Sequence, residues 1–329
     1  MPARPVPRAA APASRDELVV VIGGCNVDIA GRTMAPARPG DSTPGSVRQS
    51  AGGVARNIAE NLARLGHRVR LVSALGRDAA GRWLRAQSAA AGVDMRGCVA
   101  IDGAATSHYL SLHGPDGALL QAINDMAVLD ALTPERLARE RRHLRAATAI
   151  VVDANLRADT LAWLLEQDFA APVFADAVSV AKAPRLQPWL PRLHTLKLNR
   201  AEAQALGAPA LQSAAARRRF AAGLHGAGIA RVALSLGQGG LLLADADIQT
   251  ERPAWAVSAR NTTGAGDALM AGLVHAALAG WPIDRAADFA LGCAALTLTH
   301  PETSHPQMSE HAVRALQRRR HPTERLETL

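Results

Sequence analysis

The sequence predicts an α/β protein: a doubly wound, mostly parallel sheet flanked by helices, with a small β lid. Three observations carry that reading. Short apolar runs at 18–24, 69–75, 149–152, 173–175, 195–198 and 232–236 read as buried strands, and helical stretches separate most of them. Strands alternating with helices imply a parallel sheet covered on both faces. Two segments break the rhythm. The stretch 29–50 is rich in Gly, Pro and Thr, and within 105–126 two extended runs flank a His113-Gly-Pro-Asp-Gly117 turn, as in a hairpin. Together these two segments supply a small sheet over the main one.

The elements follow in order. The run 18–24 ends in Gly23-Gly24, which suits a buried strand and its turn. After Gly52-Gly53, the residues Val54, Ile58, Leu62 and Leu65 recur at helical spacing. No linker or internal repeat divides the chain, so 16–320 is expected to be one domain, with a solvated tail at 1–15 and another at 321–329. A hydrophobic content of 48% supports a sizeable core and excludes global disorder.

The charge balance excludes less than it suggests. A net charge of +8 raises the question of nucleic acid, but short arginine clusters at 139–145, 217–219 and 318–320 look like exposed helix faces. Aromatics are 3%, too few to interleave as base-stacking platforms. No apolar run is long enough to span a bilayer. Cys25, Cys98 and Cys293 lie far apart without C-x-x-C spacing, which points to a reducing compartment, the cytoplasm, and to no structural zinc.

The strongest local chemistry is Asn261-Thr-Thr-Gly-Ala-Gly-Asp267, followed by a strongly helical stretch. Gly264 and Gly266 let the backbone turn and approach a ligand. The unpaired N–H groups of Thr263, Gly264, Ala265 and Gly266 favour an anion, most naturally phosphate. A carboxylate at Asp267, beside such a loop, fits removal of a proton from an attacking hydroxyl. Asp28, Gly53 and Asn57 supply a carboxylate, a close backbone approach and an amide that can hold vicinal hydroxyls of a sugar. Asn199 and Glu202, at the start of a helix after a strand, offer contacts to magnesium through water. Ser235, Gly237 and Gly240 follow another strand and suit a nucleotide's phosphates. Each feature taken singly also fits ordinary turn and capping chemistry.

Their order along the chain resembles the ribokinase-like, or PfkB, family of sugar and nucleoside kinases over roughly 18–315. The segment AGGVARNIAENLARLG at 51–66 and NTTGAGDALMAGL at 261–273 are similar to the two family patterns, and Asn199-x-x-Glu202 to its magnesium and phosphate element. Within the family, SHYLSLHGPDG at 107–117, AINDM at 122–126, VFADAVSVAK at 173–182 and HTLKLNRAEA at 194–203 resemble the members that act on the C-nucleoside pseudouridine. The resemblance implies transfer of the γ-phosphate of ATP, with Mg2+, to a 5′-hydroxyl. It implies sugar contacts at Asn26, Asp28, Gly53 and Asn57, and the base at Asp267. Ser107, Tyr109, Asn124 and Asn155 are further candidates for contact with the nucleoside, and a homodimer through the lid is the expected assembly. Many relatives carry Asp where this chain has Asn261, beside a monovalent-cation loop, and the neutral amide weakens any potassium (K+) site. Adenosine, inosine, ribose or a hexose phosphate is the alternative acceptor, and a nucleotide-binding regulator without catalysis the alternative class.

Only two of the 37 basic residues are lysines, Lys182 and Lys197, both just after or within strand-like runs at the sheet edge expected to hold ATP. A compact ammonium fits beside a transferring phosphate where a guanidinium fork does not, and Lys182 is the favoured candidate.

Overall fold

The computed structural model describes residues 17–38 and 40–320. Both tails expected from the sequence, 1–15 and 321–329, therefore lie outside the described residues. The chain lays down β1 (Leu18–Ile22), leaves for β2 (Asn26–Thr33) and β3 (Gly45–Gly52), and returns through a helix at Val54–Arg64 to β4 (Arg68–Val72). Short strands β5 (Ala74–Gly76), β6 (Val93–Asp94) and β7 (Val99–Ile101) follow, and a second excursion makes β8 (His108–His113) and β9 (Leu119–Asp125). The chain then continues through β10 (Ala149–Asp153), β11 (Val173–Asp176), β12 (Thr195–Asn199), β13 (Arg231–Ser235), β14 (Leu241–Asp245) and β15 (Gln249–Arg252).

Nine of these strands form one sheet in the order β15-β14-β13-β12-β11-β10-β1-β4-β6. Pairing is parallel from β6 to β13 and antiparallel only at β13–β14 and β14–β15. All five residues of β1 are buried, as a central parallel strand covered on both faces requires. Its side chains alternate between two cores: Val20 and Ile22 join one cluster, Val19 and Val21 the other. The second cluster is closed by the helices Val54–Arg64 and Ala265–Leu278. Strand order reverses between β1 and β10, so the crevice beyond their carboxyl ends is where such a sheet takes a ligand.

The two excursions pair as a separate sheet, β3-β2-β8-β9, the lid expected from 29–50 and 105–126. Asp28 lies inside β2, because the chain turns at Gly23-Gly24 and pairs again from Asn26. Register puts Ser50, Asp28, Tyr109 and Asn124 in one row across all four strands, hence on one face. The opposite face carries Val47, Leu110, Leu112 and Ile123, all exposed.

One arginine cluster departs from the surface reading. Arg217 is buried and donates to Glu251 and to the carbonyls of Leu211 and Gln212, so within 217–219 it braces a helix against β15. The three cysteines are buried and free. Among the described residues no helix is long and apolar enough to cross a membrane.

Candidate active site

The site begins at the Ala265–Leu278 helix, whose alanines, leucines and methionine are strong helix formers. Gly264, at its N-cap, has φ 85°, and a Cβ there would lie 1.9 Å from the Thr303 carbonyl oxygen. Only glycine meets both demands. The turn before it is braced by Asn261, whose amide donates to the Pro301 carbonyl (2.9 Å) and whose oxygen accepts from the Thr263 N–H (2.9 Å). A carboxylate could not make the first of these bonds.

Asp267 stands in the first turn of that helix, buried. Asn57, from the helix Val54–Arg64, donates through Nδ2 to its Oδ2 at 2.8 Å. Asn57 is itself fixed: its Oδ1 accepts from Arg56 Nη1 at 2.9 Å and from Thr303 Oγ1 at 3.1 Å. Burial, reinforced by the nearby carboxylate of Asp176, pushes Asp267 up to about 7, against the pull of Lys197 and the Asn57 hydrogen bond. A carboxyl so poised changes charge near neutrality, as a general base should.

Lys197 explains part of this balance. Its ammonium pairs with Asp176 Oδ2 at 2.9 Å and lies 2.8 Å from where a Cβ on Gly266 would be. Burial works against its charge, but Asp176, Glu202 and Asp267 outweigh burial and hold it protonated. Asp176 Oδ1 in turn accepts from the Val178 N–H at 2.9 Å, and Val178 has φ 64°, a strained conformation for a β-branched residue. The sequence reading favoured Lys182 over Lys197. In the fold Lys182 donates to Asn155 Oδ1, beyond the end of β10, while Lys197 is the lysine beneath the glycine loop.

On the lid side, Asn26 Nδ2 donates to Asp28 Oδ1 at 2.6 Å. Asp28 packs against Gly52, where any Cβ would fall 2.2 Å from its carboxylate. Burial raises its pKa to about 6, although the Asn26 hydrogen bond and Arg56 oppose the shift. Gly53, with φ 100°, lets the crossing into the Val54–Arg64 helix pass the Gly24 carbonyl. Ser107 is buried at the foot of β8, Tyr109 is half-buried and Asn124 exposed.

Ser235, Gly237, Gly240, Ala265 and Gly266 line one cavity of about 630 Å³ at the glycine loop, with Trp255 in its wall. It is mostly apolar with a polar end at the helix start, which suits a base, ribose and phosphates. Asn199 and Glu202 form a capping box: Asn199 Oδ1 accepts from the Glu202 N–H (2.9 Å), and Glu202 Oε2 accepts from the Asn199 N–H (2.8 Å). Glu202 Oε1 accepts from Asn199 Nδ2 (2.8 Å), so both carboxylate oxygens are engaged and the residue is buried, leaving exposed Asn199 as the member that meets solvent. Arg56 and Thr303 were missed by the sequence reading. Thr303 lies in a loop with no pattern, and Arg56 looked like any polar helix residue.

A buried carboxylate in the first turn of a helix, beside a cavity of nucleotide size, is the arrangement of a phosphotransferase with an alcohol group as acceptor. Residues 16–310 match the family model of pfkB family carbohydrate kinases, and the chain belongs to that family. Pseudouridine kinase of Escherichia coli K12 is 38% identical over 297 residues, covering 89% of this chain and 94% of that protein. An uncharacterized sugar kinase of the same organism is 37% identical over 297 residues, covering 90% and 82%. Ribokinase of Arabidopsis thaliana, solved with ribose and ATP, superposes with a TM-score of 0.81 at 22% identity, covering 91% of this chain and 98% of that one, and shows the fold.

Proposed function

We propose that the chain transfers the γ-phosphate of ATP to the 5′-hydroxyl of pseudouridine, with Asp267 as base. The observation that carries this reading is the Asn57–Asp267 hydrogen bond, which ties the acceptor side to a buried carboxylate at the phosphate loop. The acceptor lies between the lid and the Ala265–Leu278 helix, its sugar against Asn26, Asp28 and Asn57. Tyr109 and Asn124 share the row of Asp28 and reach the base moiety. Asp267 takes the proton of the attacking hydroxyl, and the N–H groups of 264–267 hold the transferring phosphoryl group. Magnesium, carried on the nucleotide, neutralises phosphate charge, and Asn199 meets it through water while Glu202 fixes Asn199. Asn155 and its partner Lys182 close the acceptor end.

Support for a neutral acceptor comes from the row Ser50, Asp28, Tyr109, Asn124, which contains no cation to receive a phosphorylated sugar. The similarity to pseudouridine kinase supports the nucleoside. A free sugar or another nucleoside is the second reading, favoured by the nearly equal similarity to the uncharacterized sugar kinase. A coupled assay across pseudouridine, uridine, adenosine, inosine and ribose separates the two. Preference for pseudouridine over uridine is expected, because the C-glycoside presents a ring N–H where uridine has a C–H.

The assembly we infer is a homodimer through the lid. Its outer face exposes Val47, Leu110, Leu112 and Ile123, and a two-fold pair can bury these four side chains against their own copies. Light scattering should give twice the monomer mass, and Leu110→Asp should halve it. A wild-type chain that elutes as a monomer would end this reading.

A further inference from the structure

Asp153 is fully buried at the end of β10, at the switch point of the sheet. It belongs to neither the phosphate loop nor the lid. Its Oδ2 accepts from the Gly24 N–H at 2.8 Å and from the Ala55 N–H at 3.1 Å, and its Oδ1 accepts from the Asn155 N–H at 3.0 Å. Gly24 lies in the crossing from β1 to the lid, and Ala55 opens the helix by which the chain returns from the lid. The N-cap of that helix is Gly53, which has no side chain to satisfy the orphan amides. A carboxylate 98 residues away in sequence does so instead, where the helix dipole favours an anion. The two crossings are also packed on each other, with Arg56 N–H donating to the Gly24 carbonyl at 3.1 Å. The third crossing joins them: a Cβ on Gly24 would lie 3.1 Å from Met126, just past β9.

We propose that Asp153 is a positioning residue for the acceptor: by capping the Val54–Arg64 helix and holding the Gly24 amide, it fixes the base of the lid and Asn57 relative to Asp267. Asn57 lies one turn into the helix whose start Asp153 holds, so a loosened start displaces the amide that bonds Asp267. The nucleotide cavity shares none of these contacts. The proposal rests on the assignment of the acceptor to the cleft between the lid and Asp267.

Asp153→Asn keeps the volume and one acceptor oxygen but replaces a charge-assisted cap. It should raise the KM for the nucleoside about tenfold while the KM for ATP stays within about twofold, as loss of one such hydrogen bond on one side of the site requires. A merely structural residue would lower the folded fraction and the apparent kcat, with both KM values unchanged, and that result overturns the proposal. Native-state hydrogen exchange on the wild-type enzyme decides the matter if the variant fails to fold. The Gly24 and Ala55 amides should exchange as slowly as those of β1 and β10. Exchange of these two amides together with those of β9 in the lid would show that no clamp exists. An inactive wild type with every acceptor would instead defeat the kinase reading, and would leave the exchange result standing.

Discussion

Asp267 sets the behaviour expected at the scale of single residues. Asp267→Asn should leave both substrates bound and reduce turnover roughly 10²–10⁴-fold, the range for a general base. The wild-type rate should fall as pH drops below about 7, because the protonated carboxyl cannot accept the hydroxyl proton. The sign of the stability effect is opposite. The folded pKa of Asp267 lies above its unfolded value, so the group favours folding at low pH and that contribution is lost as pH rises through about 7. Asp267→Asn should therefore melt higher than wild type at about pH 8, the difference shrinking toward about pH 4. Lys197 pulls the same carboxyl down, so Lys197→Met should move the acid limb of the rate profile to higher pH. An unmoved limb would mean that the lysine only pairs with Asp176. Lys182→Ala, with Lys182 beside Asn155, should act on the nucleoside KM and leave that for ATP unchanged.

At the scale of elements, the glycine loop and the lid carry the testable geometry. Gly264→Ala puts a side chain at φ 85° and against the Thr303 carbonyl, and should cost about 1–3 kcal/mol in urea unfolding, as strained non-glycine positions do. The elements were unequally legible in the sequence. The central strands announced themselves as apolar runs because both faces of a parallel sheet are buried, and the hairpin at 105–126 by its Gly-Pro-Asp-Gly turn. The antiparallel edge β14–β15 was not read. Residues 249–252, Gln-Thr-Glu-Arg, have no apolar pattern and become a strand only by pairing with β14. Asp267, Asn57 and the glycine loop were legible because small residues, an amide and a carboxylate cluster at helix starts. The clasp on Asn57 was not: Thr303 lies 246 positions away and meets it only through tertiary contact, and nothing in a helix sequence says that Arg56 turns its guanidinium onto its neighbour. Lys182 was favoured over Lys197 because sequence cannot say which strand side chain meets a neighbouring loop.

At the scale of the whole molecule, the proposed function puts nucleotide and acceptor beside one helix N-terminus, over the main sheet and under a second sheet whose inner row carries Ser50, Asp28, Tyr109 and Asn124. Family membership establishes a carbohydrate-kinase fold and phosphotransfer to an alcohol; the polar row on the lid, which carries no cation, argues for a neutral nucleoside. The measurement that tests this account most directly is a coupled kinase assay over the five acceptors, with the phosphorylated position of the product located by NMR. The account predicts the highest kcat/KM for pseudouridine, a 5′-phosphate product, and little ATP consumption when no acceptor is present. Equal efficiency with uridine, or a free sugar as the best acceptor, would contradict it.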